Sequence, residues 1–318
     1  MTMSAPRIAV LVPCYNEELT VAEVVSGMRA ALPDADIYVF DNQSTDATAQ
    51  RAREAGAIVR SVKLRGKGNV VRRQFADIEA DVYLMVDGDA TYHAPSAPLL
   101  VQQVLDGHDM VVGLREATDE RAYRRGHAWG NVMLTTFLSR LFGRACRDIL
   151  SGYRAFSRRF VKSFPMQSAG FEIETELTVH ALELRMPVAE VATPYAERPD
   201  GSVSKLNTWG DGFRILGTML KLFAAERPLA FYGILGGLVG LLAVVLLVPV
   251  LLTYFETGLV PRFPSLILAS ALMVLSTLLV TVGLILDVVT RGRREMKTLA
   301  YLGVAGPSSA ACQAASSR

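Results

Sequence analysis

The sequence predicts an α/β domain built on a mostly parallel sheet, followed by an amphipathic helix and two transmembrane helices. Three observations carry that expectation. Short β-rich apolar runs alternate with helical patterns as far as Val191, the pattern of βαβ crossovers. Polar, glycine-containing turns follow strand after strand, which places them at the carboxyl edge, where open α/β sheets bind ligands. Leu229–Phe255 and Phe263–Leu286 contain no charged residue, and each is long enough to cross a hydrocarbon core of about 30 Å as a helix.

The elements follow in order. Ile8–Val12 is an apolar, β-branched run stopped by Pro13, and a helical pattern continues to Ala31. Ile37–Phe40 is a second strand, ending at Asp41; Ser44 or Thr45 can cap the helix that runs to Ala55, and Asp46 is a further cap candidate. Ala57–Val62 is a third strand, after which Gly66-Lys67-Gly68 opens a helix to Ala76. Val82–Val86 is a fourth, fully apolar strand that ends in Asp87-Gly88-Asp89. A helix over 97–106 leads to a strand at Met110–Val112. Gly126–Phe142 reads as a helix, Ser151–Phe156 as a loop entering a short strand, Phe171–Leu184 as a helix and Val188–Val191 as a strand. Thr208–Ala225 carries Trp209, Phe213, Leu216, Leu220 and Phe223 at helical spacing, an amphipathic pattern suited to a membrane surface.

These elements divide the chain into an α/β domain over 1–206, a juxtamembrane helix over 207–227, a transmembrane hairpin over 228–290 and a basic segment with a polar tail over 291–318. The spans are expected near 229–255 and 264–288. Arg227 precedes the first, and Arg291, Arg293, Arg294 and Lys297 follow the second. Basic flanks on both outer ends predict that the domain and both termini are cytoplasmic, as on a bacterial inner membrane. Residues 1–6 lack the basic and apolar regions of a signal peptide. Three scattered cysteines argue against a disulfide framework or a zinc site and for a reduced compartment. A net charge of +2 gives no case for nucleic acid.

Asp87-Gly88-Asp89 carries the chemistry. Two carboxylates one residue apart at a strand's carboxyl end are hard oxygen ligands with room left over, which suits Mg²⁺ or Mn²⁺ held partly by substrate phosphates. The alternative is a plain Asp-Gly turn. Positive charge is also concentrated: Arg115, Arg121, Arg124, Arg125, Arg154, Arg198 and Lys205 exceed what one metal-bound diphosphate needs. Arginine forks bind phosphate bidentately, so a second phosphate, carried on a lipid, accounts for the excess.

Pro13-Cys14-Tyr15-Asn16-Glu17, Asp41-Asn42-Gln43-Ser44-Thr45-Asp46, Gly66-Lys67-Gly68 and Asp87-Gly88-Asp89 together resemble, in order and spacing, the family 2 glycosyltransferases with the GT-A fold. Gly113-Leu114-Arg115, Ser151-Gly152-Tyr153-Arg154 and the stretch from Arg198 to Lys205 resemble the dolichyl-phosphate mannose synthase-like branch, which acts on polyprenyl phosphates. The resemblance covers residues 7–206. It implies a UDP- or GDP-sugar donor, an undecaprenyl or dolichyl phosphate acceptor, and inversion at the anomeric carbon. Pro13, Tyr15, Glu17 and Asp41 would line the base and ribose pocket, and Lys67 would meet the diphosphate. Asp87 and Asp89 would hold the metal, with Thr91 where several relatives carry Gln, a weaker ligand. Arg115, Arg125, Arg198, Ser204 and Lys205 would bind the acceptor phosphate. Asp89, Asp148 and Arg154 form the expected catalytic group, Asp148 orienting Arg154 or the sugar rather than serving as base. Glu172 and Glu174 are either acids reaching the sugar hydroxyls or surface acids favoured by a helix dipole. The resemblance is compatible with a homo-oligomer.

Two other readings compete with this one. A processive polysaccharide synthase needs more spans and a Gln-x-x-Arg-Trp motif, which this sequence lacks. A non-catalytic nucleotide-sugar sensor or partner subunit predicts loss of the acids or the arginines, and both sets are present.

Overall fold

The computed structural model describes residues 5–117, 135–137, 139–140, 147–166, 172–196, 217 and 220–306. The chain divides into two compact units, one formed by Met1–Phe213 with Lys297–Arg318 and the other by Arg214–Met296.

In the first unit, β1 (Ile8–Cys14), α1 (Val21–Ala31), β2 (Asp36–Asp41), α2 (Thr48–Glu54), β3 (Ile58–Ser61), α3 (Lys67–Asp77) and β4 (Val82–Met85) follow one another as predicted. They continue with α4 (Ala97–Leu105), β5 (Met110–Ala117), β6 (Arg154–Ser157), α5 (Arg158–Ser163), α6 (Ile173–Glu183) and β7 (Val188–Tyr195). The described strands form a seven-stranded sheet in the order β3-β2-β1-β4-β6-β5-β7. All its pairings are parallel except those of β6, which runs antiparallel to both β4 and β5. The parallel strands are almost wholly apolar because helices cover the sheet: Val10, Leu11, Val12, Val39, Leu84 and Val111 are all fully buried.

The register brings the carboxyl ends of β1, β2, β3 and β4 to one edge, with Cys14 opposite Asp41, Asp41 opposite Ser61, and Leu11 opposite Met85. Because β6 is reversed and Met85 lies opposite Arg154, the chain entering β6 reaches the same edge. At the other edge Asp109 is completely buried. It accepts hydrogen bonds from Ser157 Oγ at 2.6 Å, from both Nε (2.5 Å) and Nη2 (2.9 Å) of Arg159, and from Tyr301 Oη at 2.7 Å. Lys297 pairs with the buried Glu183 at 2.6 Å. Residues 297–302 are thus packed into the sheet domain, a role that the basic composition of 291–318 does not reveal.

The second unit contains α7 (Pro228–Thr257) and the part of α8 (Phe263–Leu302) up to Met296. Both helices are long and apolar enough to cross a membrane. α8 continues beyond the predicted span, as one helix of 40 residues. The two pack through small residues: Ser276 Oγ donates to Gly236 O at 2.8 Å, and a Cβ on Gly240 would lie 2.8 Å from Ser276 Oγ. Such close backbone approach is the usual adhesive between helices in lipid. Residues 220–226 are helical; the rest of the predicted amphipathic helix, and the helix predicted over 126–142 apart from 135–137 and 139–140, lie outside the described residues.

Candidate active site

The site is assembled from loops that leave the strands at the carboxyl edge, each tied to the next. The loop after β1 is laced to the loop after β2. Asn16 N donates to Ser44 Oγ (2.9 Å), Thr45 N to Asn16 Oδ1 (2.8 Å) and Glu17 N to Thr48 Oγ1 (2.8 Å). Asn16 and Gln43 hold left-handed backbone, φ 53 and 62, as tight polar turns require. Asn42, nearly buried, bonds through its side chain to Val62 O, Leu64 O and Gly66 N, and so fixes the loop that launches Lys67. Neither Ser44 nor Thr45 caps α2; its N-cap position is Ala47, and Asp46 instead accepts from Thr48 N at 3.0 Å. That side-chain bond does a cap's work from one residue further out.

The Asp87-Gly88-Asp89 turn is held from beneath. Val86 N donates to Leu11 O (3.1 Å) and Thr20 Oγ1 to Gly88 O (2.6 Å). The left-handed residue of this turn is Ala90, φ 55, not Gly88. Glycine is required at 88 for space: a Cβ there would sit 2.5 Å from Cys14 Sγ. Burial first, and then the charges of Glu17, Asp41, Asp87 and Asp89, push the Cys14 thiol well above its ordinary range. The thiol stays protonated and is no nucleophile.

Asp89 is buried, and its Oδ1 accepts from Thr91 Oγ1 at 2.7 Å and Thr91 N at 3.3 Å. The Thr91 hydroxyl therefore acts on Asp89 itself and sets its orientation. Asp87 is a quarter exposed and pairs with Lys67 Nζ at 2.5 Å; the same ammonium pairs with Glu174 at 2.5 Å. Glu174 is buried, so the surface-acid alternative fails for it: the packing of α6 against α3 covers that turn. Burial works against the charge on Lys67, but Asp87 and Glu174 outweigh it and its pKa is raised. Asp87 also needs Gly152, where a Cβ would lie 2.3 Å from Asp87 Oδ2.

Asp148 is paired with Arg115. The pair is bidentate, Nε to Oδ2 at 2.7 Å and Nη2 to Oδ1 at 2.8 Å. The Arg115 guanidinium also stacks 5.5 Å from the Tyr195 ring centre. Arg154 is completely buried and donates to Ser151 O (2.8 Å), Ile149 O and Thr178 Oγ1 (2.8 Å). These bonds hold the 149–151 loop in shape beneath the edge, which makes Arg154 a support rather than a group facing substrate. Tyr92, which the sequence did not single out, packs between Tyr153 and Tyr195, with ring centres 5.4 and 5.3 Å away. Its hydroxyl accepts from Gly152 N at 2.8 Å. The only hint in the sequence was its position beside Thr91.

Pro13, Tyr15, Glu17, Asp41, Lys67, Asp87, Asp89, Thr91, Arg115 and Asp148 thus belong to loops, strand ends or, for Lys67, the start of α3, on one edge. Asp41 Oδ1 accepts from Ser44 N at 3.3 Å, and Arg65 lies 5.7 Å over the Tyr15 ring. Arg125, Arg198, Ser204 and Lys205 lie outside the described residues. Among the described residues no group of three or more His, Cys, Asp or Glu side chains forms a self-sufficient metal site. Asp87 and Asp89 are two hard carboxylates of the kind that could hold a divalent cation with further oxygens from outside the protein.

The family described as Glycosyl transferase family 2 matches over residues 9–164. The chain is 38% identical over 232 residues to glycosyltransferase AglJ of Haloferax volcanii, an alignment covering 72% of this chain and 76% of that protein. It is 28% identical over 222 residues to a dolichyl-phosphate hexose transferase of the same organism, covering 69% of this chain and 95% of the relative. Among solved structures it is similar in fold to Mycobacterium tuberculosis glucosyl-3-phosphoglycerate synthase, crystallised with Mn²⁺ and UDP-glucose. That likeness has a TM-score of 0.55 at 24% identity and covers 69% of this chain and 79% of the other.

Proposed function

Because the chain belongs to glycosyl transferase family 2, we propose that it moves a single sugar from a UDP- or GDP-sugar to polyprenyl phosphate at the cytosolic face of a membrane, with inversion at the anomeric carbon. The observation that carries this reading is the meeting, at one sheet edge, of Asp87, Asp89 and Lys67 with the Asp148-held guanidinium of Arg115, in a chain with two membrane-length apolar helices. The relative named as a dolichyl-phosphate hexose transferase supports a polyprenyl acceptor, undecaprenyl or dolichyl phosphate.

A phosphate acceptor is already ionised near neutral pH, so the task is to bring two anions together for in-line attack rather than to remove a proton. Pro13, Tyr15, Glu17 and Asp41 receive the base and ribose. Asp87 and Asp89 hold Mg²⁺ or Mn²⁺, with Thr91 orienting Asp89; the neighbour solved with Mn²⁺ and UDP-glucose supports a divalent ion here. Once bound there, the ion would supply Lewis-acid stabilisation of the departing diphosphate. Lys67 adds a fixed positive charge on the donor side. Arg115, kept in one plane by its bidentate pair with Asp148, faces the acceptor phosphate, and Arg125, Arg198, Ser204 and Lys205 complete that pocket by family resemblance.

The test is a panel of radiolabelled UDP- and GDP-sugars with undecaprenyl and dolichyl phosphate, reading label extracted into organic solvent. One donor should label the lipid in Mg²⁺ or Mn²⁺, and Asp89→Asn should lower the rate by about a hundredfold or more. Label passing only to soluble acceptors would overturn the lipid assignment. Full activity in excess EDTA would overturn the metal assignment.

A further inference from the structure

Lys67 is the first residue of α3, a helix N-terminus, where a positive charge is disfavoured by the helix dipole. Its side chain is only 10% exposed. A buried lysine at that position persists because two carboxylates surround it, Asp87 and Glu174, each 2.5 Å from Nζ. The two are not equivalent. Asp87 is 25% exposed and belongs to the Asp87-Gly88-Asp89 turn, whereas Glu174 is 6% exposed and lies in the first turn of α6, where the dipole favours an acid.

We propose that Glu174 is a positioning residue that takes up Lys67 when Asp87 turns to the metal-bound diphosphate. The inference rests on the reading of Asp87 as a metal ligand. A cation at Asp87 and the ammonium of Lys67 compete for the same carboxylate. A lysine with no second partner would be left buried and unpaired by that exchange, which is costly. Glu174 removes the cost: the ammonium keeps one ion pair, stays at the edge of the site, and faces the diphosphate oxygens. Glu174 thereby makes Asp87 available without touching the substrate.

The experiment uses the detergent-solubilised full chain and Mn²⁺ alone as probe, with binding read by electron paramagnetic resonance. Glu174→Gln leaves Lys67 committed to Asp87 and should weaken Mn²⁺ binding about tenfold. Lys67→Gln should tighten it. The double variant Lys67→Gln/Glu174→Gln should bind Mn²⁺ at least as tightly as the unaltered chain, because the competitor is gone. A purely structural role for Glu174, or direct ligation of the ion, predicts instead that the loss persists in the double variant, and that result overturns the proposal. So does a Glu174→Gln affinity equal to that of the unaltered chain. If Glu174→Gln fails to fold, Glu174→Asp decides: its shorter carboxylate should weaken Mn²⁺ binding by about two- to threefold, with the loss again cancelled by Lys67→Gln, and no loss overturns the idea. No acceptor or sugar enters the measurement, so a wrong lipid assignment leaves this result unchanged. Failure of Mn²⁺ to bind the unaltered chain overturns both this inference and the metal assignment.

Discussion

Gly152 has no side chain, and Asp87 depends on that. A methyl group at 152 would lie 2.3 Å from Asp87 Oδ2 and 2.8 Å from its Cγ. The backbone N–H of Gly152 is bonded to Tyr92 Oη at 2.8 Å, so the loop cannot simply retreat. Gly152→Ala should therefore displace the Asp87 carboxylate by a sizeable fraction of an ångström and cut transfer about a hundredfold. Circular dichroism should show the fold retained, and unchanged kinetics would refute the steric argument. His180 gives a second expectation at this scale. It is buried against Phe160, with Nε2 3.0 Å from Ser163 Oγ and no hydrogen-bond partner for Nδ1 in the described structure. Burial, with Lys297 adding to it, pushes its pKa down to about 3. The neutral ring is favoured by the fold, so its contribution to stability is present above about pH 6.5 and lost as pH falls towards 3, at up to about 1.4 kcal/mol per pH unit. His180→Gln should flatten the dependence of melting temperature on pH in that window; parallel curves for the two proteins would count against the assignment.

At the scale of elements, the last turns of α8 are the least expected part of the catalytic unit. Tyr301 lies 192 residues from Asp109 in sequence yet donates to its carboxylate at 2.7 Å, while its ring lies 4.8 Å from the Arg159 guanidinium. Asp109 is fully buried, so each donor it loses leaves a carboxylate less well solvated than water would have left it. Tyr301→Phe keeps the ring and removes one charge-assisted bond, for an expected loss of about 1.5–3 kcal/mol. Thermal melts of the solubilised full chain should fall accordingly, and an unshifted melt would mean that Arg159 and Ser157 suffice for Asp109. The aromatic wedge nearby depends on contact rather than charge: Phe75 meets Phe156 at 5.6 Å, and Phe156 stacks on Phe160 at 4.8 Å. It explains why α3, β6 and α5 hold together although each is short.

For the whole molecule, the sheet unit comprises Met1–Phe213 and Lys297–Arg318, and the helical unit comprises Arg214–Met296. The outward side chains of α7 and α8, such as Leu238, Val245, Leu278 and Val288, are exposed apolar groups of the kind that a membrane would cover. Arg227 before the first span and Arg291, Arg293, Arg294 and Lys297 after the second should keep both flanks in the cytoplasm. A reporter fused after Arg318 is expected to read as cytoplasmic. A periplasmic signal would show that one of the two helices does not cross.

What the sequence determined by itself was what is local or periodic. Alternating apolar strands and helices predicted β1 to β4 in their order, because burial on a two-sided sheet is written into each segment separately. The Asp87-Gly88-Asp89 motif was legible because its two acids are neighbours in the chain, and α7 was legible because lipid imposes its length and composition. The tertiary structure alone decided the partners. Arg115 on β5 holds Asp148 in a bidentate pair, while the reversal of β6 leaves Arg154 buried beneath the edge. Glu174 reaches Lys67, and Tyr301 reaches Asp109, across 107 and 192 positions of sequence. Only the structure shows that Gly88 is needed for space beside Cys14. Such pairings depend on which strand lies beside which and on how closely two backbones approach, and no single segment of the chain carries that information.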